Sequence, residues 1–134
     1  MRTVVQYLAD AAEQGLQDKP MTTTTDAVHA RHRYIRAVLE LYTSTPGVLG
    51  RIRRADRLLA GELFDRNIPL YIVDYACVLA AARRTFRNAF TAPLPPIRSL
   101  HYLLPLVQEV IERPPGYREV SQMRERLAET YRLR

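Results

Sequence analysis

The chain has 134 residues, of which 47% are hydrophobic and 25% charged, a balance that fits one soluble domain and excludes wholesale disorder. One cysteine excludes an intramolecular disulfide framework and a cysteine-rich zinc site, and five glycines argue against a glycine-rich nucleotide loop. The formal charge is +6, and 19 of the 20 basic residues are arginine, a side chain that grips phosphate or carboxylate in bidentate fashion.

Residues 3–17 have helical spacing, with Val4, Leu8, Ala11 and Ala12 near one face. Asp18–Thr25 then breaks the pattern. We therefore divide the chain into residues 1–25, an N-terminal helix and linker that is an extension if translation starts at Met21, and residues 26–134, a single helical domain. Asp26 is a good N-cap for a helix that runs to about Tyr42, with Val28, Ile35, Val38, Leu39 and Tyr42 inward. Ser44-Thr45-Pro46-Gly47 stops it. A helix over about 53–66 carries the stripe Ala55, Leu58, Leu59, Leu63 with Glu62 at its edge. Asn67 suits the left-handed conformation that ends a helix, and Pro69 suits the first turn of the next. That next helix, about 70–88, is the most apolar element. Ile72, Val73, Ala76, Cys77, Leu79, Ala80 and Ala81 cover more than half its circumference, which predicts the centre of the fold.

Residues 91–96, Thr-Ala-Pro-Leu-Pro-Pro, read as a rigid connector in extended or polyproline geometry. Ser99 begins a short helical stretch that Pro105 should kink or break. A last helix spans about 117–133, with Tyr117, Val120, Leu127 and Tyr131 inward. No stretch alternates like a strand. The expectation is all-α: a compact bundle of five or six helices around the central apolar helix. The longest apolar run, residues 76–82, is too short to span a bilayer, and no secretory signal is evident, so the expected compartment is cytoplasmic.

Charge is uneven along the chain. Residues 51–98 hold nine arginines against four acids, a net of +5, whereas residues 1–28 carry a net of −2. Arg51, Arg53, Arg54 and Arg57 lie at the start of the third helix, where cations oppose the macrodipole. An external anion would explain them; so would pairing with Asp56, Glu62 or Asp65. Arg83, Arg84 and Arg87 complement the C-terminal dipole of the fourth helix. Antiparallel packing of the two helices would bring both clusters, and Arg98, to one edge. His29, Arg31, His32, Arg33 and Arg36 form a secondary basic face. His29 and His32 alone make no zinc site, and no other metal or cofactor set is evident. Cys77 lies on an apolar face without an adjacent base, and no catalytic pair stands out. Tyr34, Tyr71, Tyr75 and Tyr102 could stack on bases, though tyrosine is common at core edges.

Arg54–Arg57, Arg66–Leu70, Ala82–Arg84 and Pro96–Leu100, followed by an aromatic-rich Leu-Pro helix, make a pattern over about residues 51–112. It resembles small uncharacterised helical proteins of bacterial mobile elements and, more faintly, helical domains of replication-initiation and primosome accessory proteins. The resemblance implies association with DNA transactions and brings no catalytic motif. With the arginines, it leads to the expectation of a non-enzymatic accessory protein that contacts DNA or RNA, mainly through the backbone. Arg51, Arg53, Arg54, Arg57, Arg83, Arg84, Arg87 and Arg98 would make the contacts. The alternative is a helical protein–protein adaptor, as a homodimer or a small subunit of a larger nucleoprotein complex. It is motivated by the apolar fourth helix and by Leu100, Tyr102, Leu103 and Leu104. Neither reading involves a membrane.

Overall fold

A computed structural model describes residues 24–88 and 90–132, so the expected helix over 3–17, the linker after it and Met21 lie outside the described residues. The chain is mostly helical. Five α-helices run in order, α1 (Thr24–Thr43), α2 (Arg54–Asp65), α3 (Leu70–Thr85), α4 (Leu104–Glu112) and α5 (Tyr117–Arg132), with a 3-10 turn over Leu100–Leu103 leading into α4. The all-α expectation holds. Among the described residues no helix is long and apolar enough to cross a membrane.

α3 is central, as its composition predicts. Ile72, Val73, Ala76, Cys77, Val78, Leu79, Ala80, Ala81 and Ala82 are all buried. A helix apolar on all sides must be enclosed, and α3 packs against α1, α4, α5 and the 3-10 turn. Its alanines allow close approach. Its larger side chains each contribute roughly 1.5–3 kcal/mol when taken from water.

α2 takes a different place from the expected one. It packs on α1 and the 3-10 turn and barely touches α3, so the two do not form an antiparallel hairpin. The turn between them explains this. Asn67 adopts φ 60°, as its residue type predicts, and the amides of Asn67 and Ile68 close on the carbonyls of Phe64 and Leu63. The chain leaves α2 in a new direction, and Pro69 starts α3 there. Tyr34 of α1 fixes this corner, with its hydroxyl donating to the Ile68 carbonyl at 2.6 Å and its ring edge-on to Phe64. Burial pushes the Tyr34 hydroxyl pKa up. Arg31 of α1 crosses close over Gly61, where a Cβ would meet its guanidinium, and reaches Asp65 at 3.2 Å.

The inward face of α2 is also displaced by one position from the expected stripe. Asp56, Leu59, Ala60 and Leu63 are buried, whereas Ala55 and Leu58 are exposed. Asp56 is only 1% exposed. One carboxyl oxygen accepts from the Arg53 amide at 2.8 Å, which caps the helix start, and the other accepts from the Leu100 amide at 2.9 Å. A carboxyl group that answers two backbone donors can be buried; the pattern of apolar residues alone misses it.

Two further expectations are corrected. Val28 is 44% exposed, because residues 24–29 lie outside the packed body, and Tyr117 and Tyr131 are 77% and 41% exposed because α5 rests on α3 through Val120 and Leu127. α3 ends at Thr85, short of Asn88. The break expected at Pro105 is present: Pro105 sits in the first turn of α4, where its missing N–H costs no helical bond, and the 3-10 turn ends just before it.

The segment entering α2 meets the segment entering the 3-10 turn. Val48 and Ile97 form a parallel bridge, with the Ile97 amide donating to Gly47 at 2.8 Å and the Leu49 amide donating to Ile97 at 2.9 Å. Gly47 has φ 98°, a backbone conformation that favours glycine, and a Cβ there would press on the Arg84 guanidinium. Asp56→Ala takes the acceptor from two amides, the buried one of Leu100 and the part-buried one of Arg53, and should lower stability by roughly 2–4 kcal/mol in chemical denaturation, while Asp56→Asn, which keeps one acceptor, should lose about half as much.

Candidate functional site

Arg51 and Arg53 lie in the segment entering α2, Arg53 as its N-cap residue, and Arg54 and Arg57 lie in its first turns. All four are exposed. None has a side-chain ion pair with a described carboxylate. The acids that could have neutralised them are turned elsewhere. Asp56 is buried and bonded to backbone amides, Asp65 holds Arg31, and Glu62 forms no ion pair among the described residues. This arrangement stacks cations on the positive end of a helix dipole, at a cost of a few tenths of a kcal/mol each.

The secondary basic face of α1 reaches the same place. His32 and Arg36 of α1 and Arg57 of α2 line a cleft of about 330 Å³ whose floor is Ile35, Leu39 and Ile52, with Glu40 the acid at its wall. His29 and Arg33 are exposed on α1, and Arg31 is held by Asp65. Arg98 is exposed and follows Ile97 directly. Because the Val48–Ile97 bridge is parallel, Arg98 and Arg51 both continue beyond its same end.

The arginines at the end of α3 are engaged within the molecule. Arg83 makes a two-pronged pair with Glu109 of α4, one bond at 3.0 Å, which raises the guanidinium pKa and lowers that of the carboxyl. Arg84 donates to the Pro95 carbonyl at 2.6 Å and stands over the Tyr102 ring. Arg87 donates to the Ala92 carbonyl at 3.0 Å. The expected route of convergence, helix against helix, is absent. The two clusters are instead connected through the loop pair at Gly47 and Ile97, on which Arg84 rests.

The other sequence candidates separate cleanly. Tyr34 is bonded to the backbone, and Tyr71 and Tyr75 pack edge-on at 5.4 Å, so of the four stacking candidates Tyr102 alone is exposed. No cluster of three or more metal-ligating side chains occurs among the described residues. Sequence reasoning did not anticipate the ion pair between Asp74 of α3 and Arg124 of α5. That pair borders a largely apolar cavity of about 460 Å³ lined by Cys77, Val78, Ala81 and Leu127. The partners are 50 residues apart and share no local signal.

Burial pushes the Cys77 thiol up to about 11, an effect that its hydrogen bond with Thr45 only partly offsets. A thiol with that pKa is about one part in a thousand ionised at pH 8 and is a poor nucleophile. A thiol-specific disulfide reagent at pH 8 should therefore react with Cys77 far more slowly in native protein than in denaturant; equal rates would contradict the placement. Compared with protein-family models, curated proteins and solved structures, the chain matches none.

Proposed function

We propose that this chain is a non-enzymatic accessory protein that binds nucleic acid through phosphate contacts at the start of α2. The observation that carries the reading is the group Arg51, Arg53, Arg54 and Arg57, exposed and without carboxylate partners among the described residues although three acids lie within the same helix. Guanidinium groups beside the N-terminal amides of a helix are well suited to phosphate oxygens. The cleft lined by His32, Arg36 and Arg57 extends this surface onto α1, and Arg98 follows the bridge residue Ile97 on the neighbouring segment.

The contacting set is narrower than the sequence alone implies. Arg83, Arg84 and Arg87 have intramolecular partners, and we give them a structural role. Sequence-selective reading of a groove has little support, since α3 is enclosed and cannot enter one, and Asp74 near its start holds Arg124. The resemblance to helical proteins of mobile elements and primosome accessory proteins is consistent with DNA as the polyanion. The adaptor reading keeps a smaller basis, because the apolar faces of α3, Leu100 and Leu103 are covered by the chain itself, whereas Tyr102 is exposed and Leu104 half-buried.

Binding of a mixed-sequence oligonucleotide, followed by fluorescence anisotropy at low salt, tests the proposal. Affinity should fall steeply with added salt. Replacing Arg53, Arg54 and Arg57 together by Ala should weaken binding similarly for unrelated sequences and reduce the salt slope by about 3, one for each phosphate no longer neutralised. Arg83→Ala should leave the slope unchanged. Absence of binding at low salt, to single and double strands alike, would overturn the reading.

A further inference from the structure

Residues 92–98 read Ala-Pro-Leu-Pro-Pro-Ile-Arg. Pro93, Pro95 and Pro96 have φ fixed near −65° by their rings, and Ala92, Leu94 and Pro95 each precede a proline, which drives them to the extended or polyproline region. All peptide bonds among the described residues are trans. Residues 92–96 are thus biased to extended backbone close to the left-handed polyproline helix, which has three residues per turn and about 3.1 Å rise per residue.

A period of three sorts the segment into edges. Leu94 and Ile97 share one edge, Ala92, Pro95 and Arg98 a second, and Pro93 and Pro96 a third. Ile97 is 1% exposed and is pinned by hydrogen bonds from both sides of the Gly47–Leu49 loop, so the first edge meets the protein at Ile97, while Leu94, one turn earlier, is 41% exposed. The other two face outward. Ala92, Pro93, Pro95 and Arg98 are exposed, and Pro96 is half-buried. Arg87 and Arg84 hold the carbonyls of Ala92 and Pro95 from the end of α3, which fixes the segment in place. The carbonyls of Pro93, Leu94 and Pro96 accept no hydrogen bond from the described residues, and the Arg98 guanidinium has no partner among them.

The outward face therefore presents two residue–proline pairs, Ala92-Pro93 and Pro95-Pro96, one turn apart, followed by a free cation. We propose that this segment is a preformed ligand for a polyproline-reading domain of the SH3 type, whose groove offers two aromatic pockets for the proline pairs and a carboxylate for Arg98. The charge of Arg98 sets the direction of docking and the acidic character of the partner. Holding the segment at both ends by the protein removes much of the ordering cost that a free peptide bears on binding. The proposal is independent of the arginines at the start of α2.

The test uses the full chain, titrated into an isotopically labelled SH3 domain whose groove ends in a carboxylate cluster. Amide shifts of that domain report the contact. Saturable shifts confined to its aromatic groove are expected, with a Kd on the order of 10–100 μM, as for a small transient interface. Arg98→Ala and the pair Pro93→Ala with Pro96→Ala should each weaken binding about tenfold or more, whereas Leu94→Ala, on the edge that carries neither a proline nor Arg98, and the triple change at Arg53, Arg54 and Arg57 should leave it unchanged. Absence of saturable shifts overturns the proposal. So does insensitivity to the proline changes, which would leave Arg98 only as a contact for nucleic acid.

Discussion

Asp56 is the constraint on which the rest of the arrangement depends. It is a buried carboxyl group with two backbone amides for partners, one at the start of its own helix and one 44 residues away at the start of the 3-10 turn. Burying such a group is favourable only when its lone pairs are satisfied, so the position of α2 and the position of Leu100 are fixed relative to each other. The Val48–Ile97 bridge then follows, because the segments entering α2 and entering the 3-10 turn are already side by side.

The same interaction shapes the surface charge. A carboxylate pointing outward in the first turn of α2 would neutralise Arg53 or Arg57 at short range. Turned inward, it leaves the guanidinium groups facing solvent at the positive end of the helix. Two groups of arginines differ in what they do within the fold. Arg31, Arg83, Arg84, Arg87 and Arg124 hold helices and loops together, each with a partner distant in sequence or across a turn. Arg51, Arg53, Arg54, Arg57 and Arg98 have no such structural task among the described residues, and it is on these that the functional proposals rest.

Much of the fold is legible in local signals. Asn67 in the left-handed region, Pro69 at the head of α3, the break before Pro105 and the all-round apolar α3 are each consequences of one residue's chemistry or of a short pattern. What is not legible has a common cause. A short connection suggests that consecutive helices pack together, but the direction taken after Asn67 and the hold of Tyr34 on Ile68 place α2 on α1 instead. The stripe on α2 is misplaced by one position because an aspartate reads as polar until its two amide donors are known. Tyr117 looks like a core residue from its ring and spacing, yet it stands outside the contact that Val120 and Leu127 make with α3. For the site, the clustering of arginines near residue 53 is visible from the start. Which arginines stay unpaired depends on Glu109, Pro95 and Ala92, and no local pattern encodes those partners.

The most direct measurement is an amide-resolved map of the protein on addition of a mixed-sequence oligonucleotide at low salt. Shifts concentrated at residues 51–57, at residues 32–36 of α1 and at Arg98, with α5 undisturbed, are the predicted result. Shifts centred on α5 or on the end of α3, with none at the start of α2, would contradict the claim that an inward-turned Asp56 leaves a phosphate-binding surface beside it.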